Sequence, residues 1–109
     1  MSTAEFRDLA LALAGTSEAP HFDRTAFRAV RIFATLGADG LSANLKLAPE
    51  EQEFKSMLAP EAFAPVPGGW GRQGWTTVTL ARIDRTELAD ALALAYAHAH
   101  RKRPRSPSR

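Results

Sequence analysis

The chain has 109 residues, of which 45% are hydrophobic and 24% are charged, and this composition is typical of a globular protein with one hydrophobic core. No apolar run approaches the roughly 18 residues that a membrane span needs, and no cysteine is present for a disulfide, a thiolate nucleophile or a Cys-based zinc site. Export is not expected, because Glu5 and Asp8 precede the short apolar run 9–14, where a signal peptide carries basic residues. We therefore expect a cytoplasmic protein.

The formal net charge of +2 is distributed unevenly along the chain. Five of the 14 Lys and Arg residues lie in the last nine positions, which leaves nine bases against all 12 acids in residues 1–100. The body is therefore slightly acidic. Residues 101–109 contain no apolar side chain except two prolines, so we expect a disordered basic tail after a single domain of residues 1–100.

The first predicted element is a helix over about residues 3–14. Ser2 and Glu5 have the spacing of a capping box, the apolar residues that follow recur at helical spacing, and Gly15 is a natural stop. Short β-branched and apolar segments then fill residues 17–47, and turn residues separate them. Because these connections are too short for parallel crossovers, the pattern predicts an antiparallel meander of three or four strands.

Two further helices are predicted in the second half of the chain. Pro49 and the glutamates after it indicate a short helix over about residues 49–58. Asp84 and Glu87 form a second capping box, which begins a longer helix that runs to about His100. Helices segregated against an antiparallel sheet predict a two-layer α+β domain with the helices on one side.

Residues 65–74 lie between the last two helices and are predicted to be a shaped loop, because prolines and glycines dominate them. A strand follows from Trp75 to Leu80. Trp70 and Trp75 either pin the turn to the core, which is the favoured interpretation, or present a flat surface to a partner. We expect Trp75 to be the more buried of the two, because it opens a strand, whereas Trp70 lies among glycines.

The sequence shows no evident set of catalytic or metal-binding residues. His98 and His100 are two residues apart and cannot share a helix face, His21 is remote, and the acids fall at helix caps. No nucleophile motif occurs, and the glycine-rich loop lacks the Gly-Lys-Ser/Thr of a phosphate-binding loop, so an anion nest with Arg72 is the weaker alternative to a turn. We expect no catalytic residue, metal or cofactor.

Basic residues in the meander and tail are the candidates for phosphate contacts, although they are also typical of the polar face of a sheet. The candidate nucleic-acid contacts are Arg24, Arg28, Arg31, Lys46 and Arg72 in the body and Arg101, Lys102, Arg103 and Arg105 in the tail. Since the body is slightly acidic, we expect the tail to carry most of any DNA binding, weakly and with strong salt dependence.

Five segments together resemble the MmcQ/YjbR family of small bacterial proteins: residues 6–13, 27–36, 45–52, 65–71 and 87–96. The resemblance covers about residues 5–103 and implies a two-layer α+β fold similar to type III secretion chaperones. It implies the order α-β-β-β-α-β-β-α, with a short strand at about residues 63–66.

The same resemblance implies DNA binding through a double-wing sheet motif and no general catalytic activity or cofactor. In this sequence Lys46 matches the strand-end lysine of the family, Trp75 its aromatic strand opening and Tyr96 the aromatic of its last helix. The first hypothesis is therefore a non-enzymatic DNA-binding protein. The alternatives are a protein- or peptide-binding module with a chaperone-like fold, and a small-molecule site beneath the loop of residues 65–74.

Overall fold

The computed structural model describes residues 1–101, which form two layers. The helices are α1 (Thr3–Leu11), α2 (Pro49–Leu58), α3 (Gly69–Arg72) and α4 (Arg85–His100), and the strands are β1 (Ser17–His21), β2 (Arg24–Arg28), β3 (Ile32–Gly37), β4 (Ser42–Lys46), β5 (Phe63–Pro65) and β6 (Trp75–Thr79). A 3₁₀ turn, Leu80–Arg82, joins β6 to the last helix. Within residues 1–101 no helix combines the length and the hydropathy that crossing a membrane requires. The tail predicted to be disordered lies outside the described residues, apart from Arg101.

The six strands form one antiparallel sheet in the order β1-β2-β3-β4-β6-β5. Helix α4 packs on β3 and β4, and α1 packs on α4, so these helices cover one face of the sheet. The predicted two-layer α+β class is confirmed. The order differs from the one implied by the family resemblance, because four strands precede α2. Phe22 adopts a positive φ of 58° and turns the chain after β1, which divides residues 17–28 into two strands.

The core lies between the sheet and helices α1 and α4. Phe6 of α1 meets Phe27 of β2 edge to face at 5.5 Å between ring centroids, and Phe33 of β3 meets Tyr96 of α4 at 5.7 Å. Other fully buried side chains are Leu45, Leu47, Val78, Leu80, Leu88 and Leu92. Large apolar side chains from both layers thus supply the hydrophobic stabilisation of the fold.

A β-bulge interrupts the pairing of β2 with β3. Arg28 pairs with Ile32 while Phe27 pairs with Ala34, so Phe33 is an extra residue without a partner on β2. Phe33 and Ala34 are both fully buried, which shows that the bulge turns two successive side chains toward the helices. Strand alternation resumes on either side of this point.

The helix ends follow the predicted capping residues closely. Both capping boxes are present: Ser2 with Glu5 at α1, and Asp84 with Glu87 at α4. Helix α2 has the predicted bounds, whereas α1 ends at Leu11, short of the predicted residue 14, and the Leu13 N–H bonds to the Ala10 carbonyl three residues back instead of continuing the α-helical pattern.

The segment 65–74 was predicted to be a shaped loop, but part of it forms regular secondary structure. Its residues Gly69–Arg72 form the one-turn helix α3, closed by hydrogen bonds from the Arg72 and Gln73 N–H groups to the Gly68 and Gly69 carbonyls. The Gln52 side-chain amide of α2 donates to the Gly71 and Trp75 carbonyls at 2.9 and 3.1 Å. This bridge fixes the segment to α2 and to the start of β6. The short strand expected near residues 63–66 is β5.

Candidate functional site

The face of the sheet opposite α1 and α4 is called the open face; the Trp70 side chain of the one-turn helix α3 lies beside part of it. Residues paired across neighbouring strands share a face. One such row crosses all six strands and consists of Ala19, Ala26, Thr35, Asn44, Thr77 and Ala64. Thr77 donates to Asn44 Oδ1 at 3.0 Å, which leaves the Asn44 amide nitrogen as a donor on this face.

Three of the predicted basic residues lie on the open face. Arg24 is two residues before Ala26, Arg28 is two residues after it, and Lys46 pairs with Trp75. Arg24 lies across the sheet, because its Nε donates to Thr35 Oγ1 at 2.8 Å and its Nη2 to the Thr35 carbonyl at 3.3 Å. The strands therefore place three cationic groups on one uncovered surface.

Acidic residues are absent from the open-face positions of the described strands. Glu18 is the one strand carboxylate in residues 1–101, and it pairs with the core residue Phe27, so it faces the helix layer. There it forms an ion pair with Arg7 of α1 at 2.8 Å. The slightly acidic body thus has an uneven surface: the strands give the open face only cationic charged groups, and the Asp39 carboxylate of the turn after β3 approaches this face beside Arg24.

A hollow of about 280 Å³ lies on the open face, and we call it the sheet hollow. Its lining residues are His21, Phe22, Arg24, Thr35, Asn44, Val66, Trp70 and Trp75. Phe22 is 94% exposed and Trp70 is 63% exposed, whereas Trp75 is half-buried, so the predicted ranking of the tryptophans is confirmed. The hollow combines a polar floor with aromatic side chains that are largely free to contact a ligand.

The remaining predicted contacts lie elsewhere in the fold. Arg31 donates to the Ala99 and Arg101 carbonyls at 3.2 and 3.1 Å and so closes the C-terminal end of α4. Arg72 is exposed on α3, and Arg101 lies 3.8 Å from a Glu51 carboxylate oxygen. Lys102, Arg103 and Arg105 fall outside the described residues. The structure therefore places Arg24, Arg28 and Lys46 on one face of the sheet, but the other predicted nucleic-acid contacts do not lie there.

A second cavity of about 230 Å³ lies where β3 begins, β4 ends and β6 begins, and we call it the end cavity. Its wall includes Arg31, Lys46, Gln73 and His98, together with the same two tryptophans that line the sheet hollow. Sequence reasoning considered His98 as a metal ligand and set it aside, because it cannot share a helix face with His100. No sequence signal joins these residues, because they come from four separate segments of the chain.

His98 is electrostatically unusual in the end cavity. Its Nδ1 atom is buried and has no hydrogen-bond partner among residues 1–101. Burial lowers the pKa of the imidazole, and the positive charges of Arg101, Lys46 and Arg31 lower it further, while Glu51 opposes them. Burial, and then the neighbouring cations, thus hold the ring toward its neutral form, and its Nδ1 atom has no partner among the described residues.

A metal site is not formed by the residues that the structure describes, since no three His, Asp or Glu side chains cluster within 1–101. His21 lies at the rim of the sheet hollow, with its ring centroid 4.8 Å from that of Phe22. From this position His21 could contact a ligand in the sheet hollow, which was the less favoured alternative for this residue.

Comparison with known proteins identifies the family. The YjbR family model matches residues 11–98, about four-fifths of the chain. The chain belongs to the YjbR family. A crystal structure of the Deinococcus radiodurans protein DR2400, described with the domain DUF419, is similar to this YjbR protein with a TM-score of 0.80 and 25% sequence identity, over 94% of this chain and 81% of that one. No match was found among curated proteins.

The family match contains the whole sheet and most of α4. The matched range 11–98 begins at the end of α1 and closes at His98, so both the open face and the end cavity are parts of the YjbR domain itself. Arg101 and the rest of the tail lie beyond the match. The two hollows can therefore be discussed as features of the domain, separately from the basic tail.

Proposed function

We propose that this YjbR protein is a non-enzymatic, cytoplasmic DNA-binding protein that holds single-stranded DNA on the open face of its sheet. The observation that carries the proposal is the combination of Arg24, Arg28 and Lys46 with exposed aromatic rings on a surface where the described strands place no acid. Cationic groups that track a phosphate backbone, next to aromatic rings that accept bases, are the recurring features of single-strand binding surfaces.

The aromatic side chains favour single-stranded over duplex DNA. Phe22 and Trp70 project into solvent beside the sheet hollow, and a ring in that position can stack on a base only if the base is unpaired. Arg24 and Asn44 below them offer N–H donors to base edges. A duplex would use the cations alone and leave the rings without a role.

Pairing of a peptide with the sheet edges is disfavoured by the edge strands themselves. β5 has only three residues and contains Pro65, and β1 contains Pro20, which has no N–H to donate. Short edge strands with proline are the usual protection against added strands. Peptide binding by strand addition is therefore the weaker hypothesis for this sheet.

A protein partner is the second candidate, and a different surface favours it. Helix α2 has no buried residue, and its side chains Phe54, Met57 and Leu58 are 57%, 70% and 67% exposed. Three neighbouring large apolar side chains in solvent are a common mark of a protein interface. This stripe lies on a helix and not on the open face, so the two candidate functions can be tested separately.

The test is fluorescence anisotropy of a labelled single-stranded oligonucleotide, with the matched duplex as comparison. Replacing Trp70 with Ala removes one stacking platform, which is worth about 1–3 kcal/mol per base, so we expect binding about 5- to 150-fold weaker. Phe54→Ala is the matched control, because Phe54 is similarly exposed but lies on α2. Arg28→Gln should also weaken binding, whereas Arg82→Gln, an exposed arginine in the 3₁₀ turn, should not.

The salt dependence separates the domain from the tail. For a single strand, the three open-face cations give a slope of at most about −2 in a plot of log affinity against log salt, and the five tail bases can add at most about −3.5. Protein truncated after Arg101 should keep its sensitivity to Trp70→Ala. Loss of all binding on truncation, or equal effects of Trp70→Ala and Phe54→Ala, would contradict the proposal.

A further inference from the structure

We propose that the end cavity binds a small organic anion, in which a carboxylate or phosphate group is attached to a flat ring. This site shares Lys46 and the two tryptophans with the open face, but it needs neither DNA nor the tail. Three observations support it: a lysine without a partner among residues 1–101, a histidine whose ring forms no hydrogen bond among the same residues, and an aromatic wall, all around one cavity.

The cationic side of the cavity is provided by Lys46 and Arg31. Lys46 is half-buried at the end of β4, and no ion pair or hydrogen bond joins its ammonium group to another residue within 1–101. The Arg31 guanidinium is held in place by the two carbonyls at the end of α4. A positioned cation without a counter-ion inside a concave site provides the attraction that an anionic ligand requires.

His98 supplies a second donor to the same anion. Its Nδ1 atom is closed off from the cavity, but Nε2 forms no hydrogen bond among residues 1–101, and an Nε2–H would donate to an anionic oxygen there. The charged groups around it come from every neighbouring segment: Lys46 from β4, Arg31 before β3, Arg101 after α4 and Glu51 from α2. Three of these four are cations that disfavour the charged imidazole, so an incoming anion offsets their effect and favours proton uptake by His98.

The size and apolar wall of the cavity fit one flat ring with its acidic group. A dry cavity of about 150 Å³ in another protein accommodates benzene, and the end cavity measures about 230 Å³. Trp70 and Trp75 provide aromatic contact area for such a ring. Both tryptophans of the chain line this cavity and the sheet hollow, so their fluorescence reports ligand binding, and the variants assign it to one of the two.

The experiment titrates the full-length protein with phenyl phosphate and with benzoate while tryptophan fluorescence is recorded. Phenol, which has the ring without the charge, and inorganic phosphate, which has the charge without the ring, are the matched probes. We expect a saturable change with at least one of the two complete probes, at least tenfold tighter than with phenol or phosphate. Which probe binds more tightly distinguishes the phosphate from the carboxylate form of the ligand.

Variants assign the binding to the cavity. Lys46→Met should weaken binding at least tenfold, whereas Lys55→Met, which removes the same charge from an ion pair with Asp90 on α4, should leave it unchanged. Benzoate remains ionised near neutral pH, so its affinity should rise as the pH falls and His98 becomes protonated. His98→Asn keeps an N–H donor without a titrating ring and should bind with little pH dependence. The fold of each variant is checked by its thermal unfolding.

Two results would overturn the proposal. One is the absence of a saturable fluorescence change with both phenyl phosphate and benzoate at millimolar concentration. The other is an equal loss of affinity in the Lys46 and Lys55 variants, which would place the interaction outside the end cavity. The end cavity shares Lys46 and both tryptophans with the open face, whereas Arg31 and His98 line only the end cavity, so the His98→Asn variant distinguishes failure of this proposal from failure of DNA binding.

Discussion

Replacement of Gly74 by Ala tests how the glycine-rich segment joins the two halves of the sheet. Gly74 has a φ of +105°, and a Cβ atom built on it would lie 1.9 Å from the Leu47 carbonyl oxygen. Its own carbonyl accepts a hydrogen bond from the Leu47 N–H at 3.0 Å. The backbone therefore approaches so closely that a side chain has no room where β6 begins beside the end of β4.

The expected cost of Gly74→Ala follows from these contacts. A non-glycine residue at this φ costs about 1–3 kcal/mol, and loss of the hydrogen bond adds about 1 kcal/mol. The carbonyl must also move by about 1 Å, because real Cβ atoms do not approach closer than 3.0 Å. We expect a loss of more than about 3 kcal/mol, which is a large fraction of the 5–15 kcal/mol typical of such domains.

Two other glycines are the controls for this variant. Gly15 has a similar φ of +78° but nothing within 4 Å of a built Cβ, so Gly15→Ala should cost roughly 1 kcal/mol from backbone conformation alone. Gly71 lacks a positive φ, but its Cβ would lie 1.9 Å from the Val66 carbonyl oxygen, so Gly71→Ala isolates the close approach. Urea unfolding of the three variants gives the comparison. A Gly74→Ala loss no larger than that of Gly15→Ala would refute the reasoning.

Three further predictions concern the core, the first helix and the tail. Phe33→Ala should lower the free energy of unfolding by about 3–5 kcal/mol in urea titrations, because the ring is fully buried against Tyr96, and a loss below 1 kcal/mol would contradict this packing. Hydrogen bonds to Glu5, first from the Ser2 backbone N–H and then from its side chain, lower the pKa of the Glu5 carboxyl. A lowered folded-state pKa contributes stability that is present above the unfolded pKa and lost as the pH falls through the folded one. Ser2→Ala removes the side-chain hydrogen bond and keeps the backbone one, so it should raise the Glu5 pKa in part in an NMR titration, and an unchanged pKa would exclude the Ser2 hydroxyl as a cause. Removal of residues 102–109 should leave the midpoint of thermal unfolding unchanged, because they contain no apolar side chain to bury except prolines, and a fall of several degrees would reveal contacts with the domain.

Much of the fold could be predicted because its signals are local. The capping boxes at Ser2 and Asp84 and the Pro49 start of α2 depend on residues within one helical turn of each other. The meander was predictable because its connections are too short for any other arrangement. The division of residues 17–28 into two strands was less certain, since it depends on a positive φ at Phe22 that the residue type does not favour.

The candidate site was predictable only in part. The alternation of side chains places Arg24 and Arg28 on one side of β2. Whether Lys46 lies on the same face of the sheet depends on the pairing register across three strands. The one-turn helix α3 is too short to show a periodicity. The end cavity could not be found in the sequence, because its chemistry arises from residues that lie far apart along the chain and meet only when α4 packs on the sheet.

The bulge at Phe33 determines which chemistry each face of the sheet receives. Without the extra residue, Ile32, Ala34 and Leu36 would share one face, and Phe33 would point to the open face beside Thr35. With the extra residue, Phe33 joins the core against Tyr96, and Ile32 lies on the open face beside its partner Arg28. Phe33 is also one of the residues around the end cavity. A single irregularity in the pairing of β2 with β3 thus places Phe33 in the packed core and leaves Arg28 and Ile32 together on the open face.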